Sequence, residues 1–110
     1  MQTFEMSELV KRRDPSQASS AEFLRVPSMS MSVYRIPAGA PDTQRPHTED
    51  EAYYVVRGRA VFRAGNEERP VAPGAVLFVE AGVEHRFENI TEDLVTLVVF
   101  APSKGTRATR

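Results

Sequence analysis

A histidine and a carboxylate stand four residues apart in Pro46-His47-Thr48-Glu49-Asp50-Glu51, at the mouth of an apolar run that reads as a β-strand. The chain contains only two histidines, His47 and His85, and no cysteine. Disulfides, thiolate metal sites and cysteine nucleophiles are excluded, and a metal held by imidazoles must use both histidines. Side chains two and four apart along a strand point one way, so regular pairing puts His47, Glu51, Tyr53 and Val55 on one face. By the same count His85, Phe87 and Asn89 share a face. Facing each other across a barrel, these strands offer two imidazoles and one carboxylate to one point. That is the ligand set of non-haem Fe(II), and it also suits Mn(II), Zn(II), Ni(II) or Cu(II). The expected cofactor is one divalent metal ion of this group on His47, Glu51 and His85.

Strands and turns must position these residues. Ser7 is placed to cap a short helix through Leu9, Val10 and Lys11, which Asp14-Pro15 would stop. Ser16 to Ser20 is small and polar and reads as a loop. From there the pattern changes to period two. Strands are expected over 22–26, 29–36, 51–57, 59–64, 68–72, 75–79, 85–90 and 94–100, with Arg57-Gly58 as a tight turn between the third and fourth. Gly65-Asn66, Pro73-Gly74 and Gly82 punctuate the rest. About eight short strands without a second helix predict a small all-β sandwich or barrel.

With 110 residues the chain makes one domain, divided into an N-terminal helix and polar loop (1–21), a β-barrel (22–102) and a basic, disordered tail (103–110). A net charge of -1 and a pI near 6.1 give no reason to expect nucleic acid or an anionic membrane as partner. Met1 to Leu9 has no apolar run and no stretch approaches a membrane span, so a soluble cytoplasmic domain is expected. In Val76-Leu77-Phe78-Val79 and in Leu94 to Phe100 both parities are apolar, whereas a sheet with one wet face alternates. So little chain is left to cover the outer faces that a homodimer is expected to bury them.

Gly39-(five residues)-Arg45-Pro46-His47-(three)-Glu51-(six)-Gly58 resembles the first cupin motif, G-x5-H-x-H-x3-4-E-x6-G, with arginine at the first histidine. Gly74-(five)-Glu80-Ala81-Gly82-(two)-His85-(three)-Asn89 resembles the second, G-x5-P-x-G-x2-H-x3-N, with glutamate for proline. Fifteen residues, Arg59 to Pro73, separate them. The resemblance covers about Met29 to Pro102. It implies a small single-domain cupin, a jelly-roll β-barrel with a short N-terminal helix and an internal metal held by three His and one Glu. His47, Glu51 and His85 match the second His, the Glu and the last His.

The first ligand is missing, because a guanidinium has no lone pair to donate. Gln44 has a carbonyl oxygen, but its parity is opposite to that of His47, so only a bulge would turn it inward. Three protein ligands would leave open positions for water and a small-molecule substrate. In the rival arrangement Arg45 turns in, pairs with Glu51 and repels a divalent cation, leaving a pocket that reads anionic groups. Tyr53, Phe78 and Phe87 are candidates for shaping a dry substrate cavity beside the ligands, with Arg45 as a substrate contact. With no spare histidine, proton transfer falls to Tyr53, Glu49 or a metal-bound hydroxide. The resemblance implies a metal-dependent enzyme acting on a small organic molecule by dioxygenation, isomerisation or decarboxylation. The alternative is a non-catalytic module that binds a sugar or another small molecule.

Overall fold

The computed structural model describes residues 1–12 and 18–106, the side chain of Arg12 excepted. The elements run α1 (Met6–Leu9), a 3-10 turn (Val10–Arg12), β1 (Ser19–Val26), β2 (Met29–Ile36), β3 (Asp50–Ala64), β4 (Glu67–Val71), β5 (Val76–Val79) and β6 (His85–Ala101). The strands are antiparallel in the order β1-β2-β6-β3-β4, with β5 paired to the first half of β3. β3 and β6 are the axis of the fold. Their pairing runs from Asp50 opposite Ala101 to Ala64 opposite His85, so Glu51 and His85 belong to the first inward positions of two strands that begin at opposite ends of this ladder.

Six strands replace the eight expected, because neither long strand breaks. Gly58 is not a hairpin turn. It sits inside β3 at φ 101°, where the β3–β6 register slips, and a Cβ there would lie 2.4 Å from the Asp93 carbonyl oxygen and 2.6 Å from the Leu94 Cα. Tight hairpin turns and G1-type bulges both place a glycine at positive φ, so one residue is consistent with either. Asn89, at φ 49°, takes the matching irregularity in β6. At these slips the β3–β6 ladder shifts register, and such irregularities bend a strand and increase its twist.

The interior is lined by Ile36, Tyr53, Val55, Phe62, Phe87, Leu94, Val98 and Phe100, all buried. Tyr53, Phe62 and Phe87 form an aromatic knot with centroids 4.8–5.5 Å apart, at the separations that edge and tilted contacts favour. On β2 the inward face is Ser30, Ser32, Tyr34 and Ile36. The opposite face presents Val33, which packs with Val95 of β6 beneath Leu9 of α1. The chain's own N-terminal helix therefore covers the second apolar parity of β6 around Val95, a burial expected of a partner subunit. Among the described residues nothing covers β5 in this way: Val76 and Phe78 are 72 and 65 % exposed.

Both termini depart from expectation. Glu5 rather than Ser7 occupies the cap position of α1, and its side chain makes no capping bond; its carbonyl accepts from Glu8 and Leu9. The expected stop at Asp14-Pro15 lies outside the described residues, while Ser19 and Ser20 belong to β1. Residues 103–106, assigned on composition to a disordered tail, form a turn with Ser103 buried. Its backbone bonds to residues far away in sequence, which a composition argument cannot register. The remaining tail, 107–110, lies outside the described residues.

Candidate metal centre

His47 is brought to the barrel by a loop rather than by a strand, since β3 starts only at Asp50. Two long-range bonds stitch this loop to the turn before β6: Gly82 donates its amide to the His47 carbonyl (2.8 Å), and Ala81 donates to Asp50 Oδ1 (2.9 Å). The imidazole packs edge-on against Phe100 at 4.9 Å, which restricts its rotation. Glu51 comes from β3 and is 3 % exposed, as is His85 at the start of β6.

Three donor atoms converge on one point. Glu51 Oε1 lies 3.2 Å from His47 Nδ1 and 2.9 Å from His85 Nε2. All three fall within 4.8 Å of one another. Nδ1 of His85 lies 2.8 Å from the Val83 carbonyl and donates its proton there. In the neutral ring this leaves the Nε2 lone pair buried and facing a carboxylate oxygen, whereas in the imidazolium Nε2–H donates to Glu51 Oε1 across the same 2.9 Å. A lone pair against an anionic oxygen is repulsive unless a proton or a metal cation stands between them. The observed N···O separations suit neighbouring ligands of a cation that each atom holds at about 2.1 Å. The donor set therefore fits a divalent metal.

The protonation of the pair follows from the same geometry. Burial alone would push the Glu51 carboxyl up, but hydrogen bonds from the His47 and His85 imidazoles outweigh it and bring it down to about 2. Burial likewise opposes the His85 imidazolium, yet the Glu51 carboxylate and the Val83 carbonyl raise it above the ordinary 6.5. In metal-free protein the His85 contribution to stability is full below 6.5 and lost as pH rises through the raised folded value. The Glu51 contribution is present above the ordinary 4.5 and lost as pH falls towards about 2. Between about pH 6 and 8, stability of the metal-free protein is expected to fall with pH, whereas uptake of a divalent metal, which must displace the His85 proton, strengthens. Urea midpoints and metal titrations across that interval check both signs. Parallel trends would contradict the assignment.

Around the ligands, the loop before β3 contributes differently from its strand-parity reading. Arg45 is exposed and forms no ion pair among the described residues, so the arrangement in which it neutralises Glu51 does not occur. Gln44 turns inward instead. Its Nε2 donates to Asp42 Oδ2 (2.7 Å), which orients the amide so that Oε1 accepts from the Tyr53 hydroxyl (3.1 Å). Parity holds only in regular strand, and residues 41–47 have none. Asp42, buried, fixes this turn by also accepting from the Phe87 amide (2.9 Å) and the Tyr34 hydroxyl (2.6 Å). Tyr34 shares its face with Ile36, so alternation in β2 could have placed it inside. No sequence signal marks Asp42.

The candidate catalytic groups take other parts. Burial, and then the negative charge of Glu51, raise the Tyr53 phenol well above its ordinary value, so it is a fixed donor and not a base. Glu49, the other side-chain candidate for proton transfer, is 2 % exposed and accepts from the Gly105 amide (2.8 Å) and from the Thr48 hydroxyl. It anchors the tail and is not one of the three converging ligands. Phe87 belongs to the aromatic knot and Phe78 lies on the outer face, so neither lines the cleft beside the ligands.

That cleft measures about 80 Å³ and is lined by Tyr34, Gln44, His47, Glu51, Phe100 and Lys104 among others. With water occupying about 30 Å³ in the liquid, it holds two or three waters or one small organic molecule. A larger groove of about 530 Å³ beside Phe4, Phe23 and Met31 offers no ionisable side chain.

A cupin domain model matches residues 32–100, the span that contains both strands of the site. The chain belongs to the cupin family. It is 45 % identical over 105 residues to an uncharacterised protein of Streptomyces coelicolor, covering 96 % of this chain and all of that one. A crystal structure of a Thermus thermophilus protein superposes with a TM-score of 0.79 at 28 % identity, covering 94 % of this chain and 99 % of the other. An ectoine synthase from P. lautus shares the fold, with a TM-score of 0.74 at 22 % identity over 94 % of this chain and 79 % of the other. No helix among the described residues is long and apolar enough to cross a membrane.

Proposed function

We propose that this cupin binds one divalent metal ion through His47, Glu51 and His85 and acts as a metal-dependent enzyme on a small organic molecule. The observation that carries the reading is the convergence of His47 Nδ1, Glu51 Oε1 and His85 Nε2, all within 4.8 Å of one another, with Glu51 and His85 buried. A bound metal would supply Lewis acidity or, if iron, a route to dioxygen. The chain's own residues would set the rest. Gln44 and Tyr34 present polar atoms to the cleft, Phe100 and Val98 exclude water from its wall, and Tyr53 holds its proton on the Gln44 oxygen. Elemental analysis of wild-type protein and the His47→Ala and His85→Ala variants tests the ligand set; equal metal in all three would sink it.

One observation favours the other reading, a module that binds without turnover. Tyr53 keeps its proton and Glu49 is tied to the tail, so neither sequence candidate is a ready base. Stable ligand binding by the metal-loaded protein, without oxygen uptake or product, would select the module.

We further propose that the outer face of β3 and β5 pairs two copies of the chain. Tyr54 stands opposite Val76, and Ala52 opposite Phe78, giving a contiguous patch in which Tyr54, Val76 and Phe78 are 45, 72 and 65 % exposed. A dimer is expected by light scattering at micromolar concentration, with Phe78→Ser shifting it to monomer. A monodisperse wild-type monomer would defeat the idea.

A further inference from the structure

Resting on the metal-site reading above, we infer that Lys104 makes the cleft selective for small organic anions, a carboxylate above all, over neutral molecules that chelate equally well. Lys104 is a cationic wall of the cleft and has no carboxylate partner among the described residues. Its ammonium lies 5.6 Å from the centroid of the Phe100 ring, and the same ring carries the His47 imidazole at 4.9 Å. One aromatic side chain thus brings a metal-ligand candidate and a positive charge to the same small space.

The lysine is held there by its backbone. Its amide donates to Ser30 Oγ (2.9 Å) and its carbonyl accepts from Arg25 Nη2 (2.8 Å). On either side, Ser103 donates its amide to the Pro27 carbonyl (3.4 Å) and Gly105 donates to Glu49 Oε1 (2.8 Å). Four tethers to β1, β2 and the turns around them make this turn a fixed part of the cleft mouth. Glu49 is buried for this purpose, at 2 % exposure, although it lies two residues from Glu51.

Charge and size then select the ligand class. A divalent cation on two neutral imidazoles and one carboxylate leaves positive charge, and Lys104 adds to it. Asp42, behind Tyr34, and Glu49, on the Gly105 amide, offset two units, and Arg25, on the Lys104 carbonyl, restores one. The cleft stays net positive and has room for only a few non-hydrogen atoms. A carboxylate with one oxygen donor directed to the metal and the other towards the Lys104 ammonium satisfies both charges at once, in a charge-assisted hydrogen bond that a neutral amide cannot match. The Lys104 side chain is itself exposed, so replacing it leaves the barrel intact.

The test uses the full chain loaded with Mn(II), with lactate and its neutral counterpart lactamide as probes. Mn(II) stoichiometry is measured first, then probe affinity by calorimetry, for wild type, Lys104→Met and Lys104→Arg. Expected are equal Mn(II) stoichiometry in all three, lactate bound by wild type at least about tenfold more tightly than by Lys104→Met, recovery of most of that factor in Lys104→Arg, and lactamide affinity unchanged. Normal Mn(II) loading with equal lactate affinity in wild type and Lys104→Met overturns the role of Lys104 and leaves the metal site standing. Failure of wild type to take up Mn(II) overturns the metal site and this inference together.

Discussion

The His85→Ala protein is expected to retain at most about a hundredth of the wild-type affinity for a divalent metal. Apparent binding free energies of structural zinc sites run about 10–16 kcal/mol over four ligands, so one ligand contributes roughly 3 kcal/mol, or about two orders of magnitude. His85 should lie at the upper end, because its ring is already aimed. Val83 fixes the tautomer, Glu51 faces Nε2, and the residue is 3 % exposed, so no water fills in without loss. His47, more open at 16 % side-chain exposure and delivered by a loop, should lose somewhat less when replaced by alanine. Competition against a chelator of known affinity measures both. Thermal unfolding separates lost metal from lost fold, since removing one of two partners also leaves the Glu51 carboxylate buried with less support. A His85→Ala protein that folds and holds metal as tightly as wild type would refute the site.

The second large effect concerns the scaffold. Gly58→Ala is expected to destabilise the protein by about 3 kcal/mol, combining a left-handed backbone with a Cβ driven into the Asp93 carbonyl and the Leu94 Cα. With a denaturant slope of about 1–3 kcal/mol per molar, the urea midpoint should fall by roughly 1–3 M. Gly39→Ala is the control, because Gly39 also has a positive φ (79°) but a Cβ there meets nothing within 4 Å. It should cost only about 1 kcal/mol. Equal midpoints for the two variants would show that the close crossing of β3 over β6 is not what Gly58 provides. Because this crossing sets the bend of both long strands, metal affinity is expected to weaken in Gly58→Ala although the residue touches no ligand.

The three converging donors were legible because their residues are scarce and their types are chemically exclusive. With two histidines in the chain, any site built on imidazoles had to contain both. β2 was legible to the residue, Met29 to Ile36, since a regular alternation bounded by turns has one reading. Gly58 shows the opposite case: a positive φ is written in the residue type, but whether the chain then reverses or continues depends on what approaches it, here Asp93 and Leu94 from 35 residues downstream.

Sequence alone determined an all-β sandwich or barrel, the stretches that form strands and the identity of three converging donors, because alternation and lone-pair chemistry are local properties of residue types; the choice of a jelly-roll barrel rested on the resemblance of the two motifs to those of cupins. Tertiary structure alone decided that Gln44 turns in while Arg45 turns out, that Phe78 lies on the outer face, and that Glu49 and Ser30 hold a turn carrying Lys104 to the cleft. The reason is physical. Outside regular strand a side chain's direction is set by bonds to residues distant in sequence, such as Gly82 to the His47 carbonyl and Phe87 to Asp42, and no count along the chain can supply them.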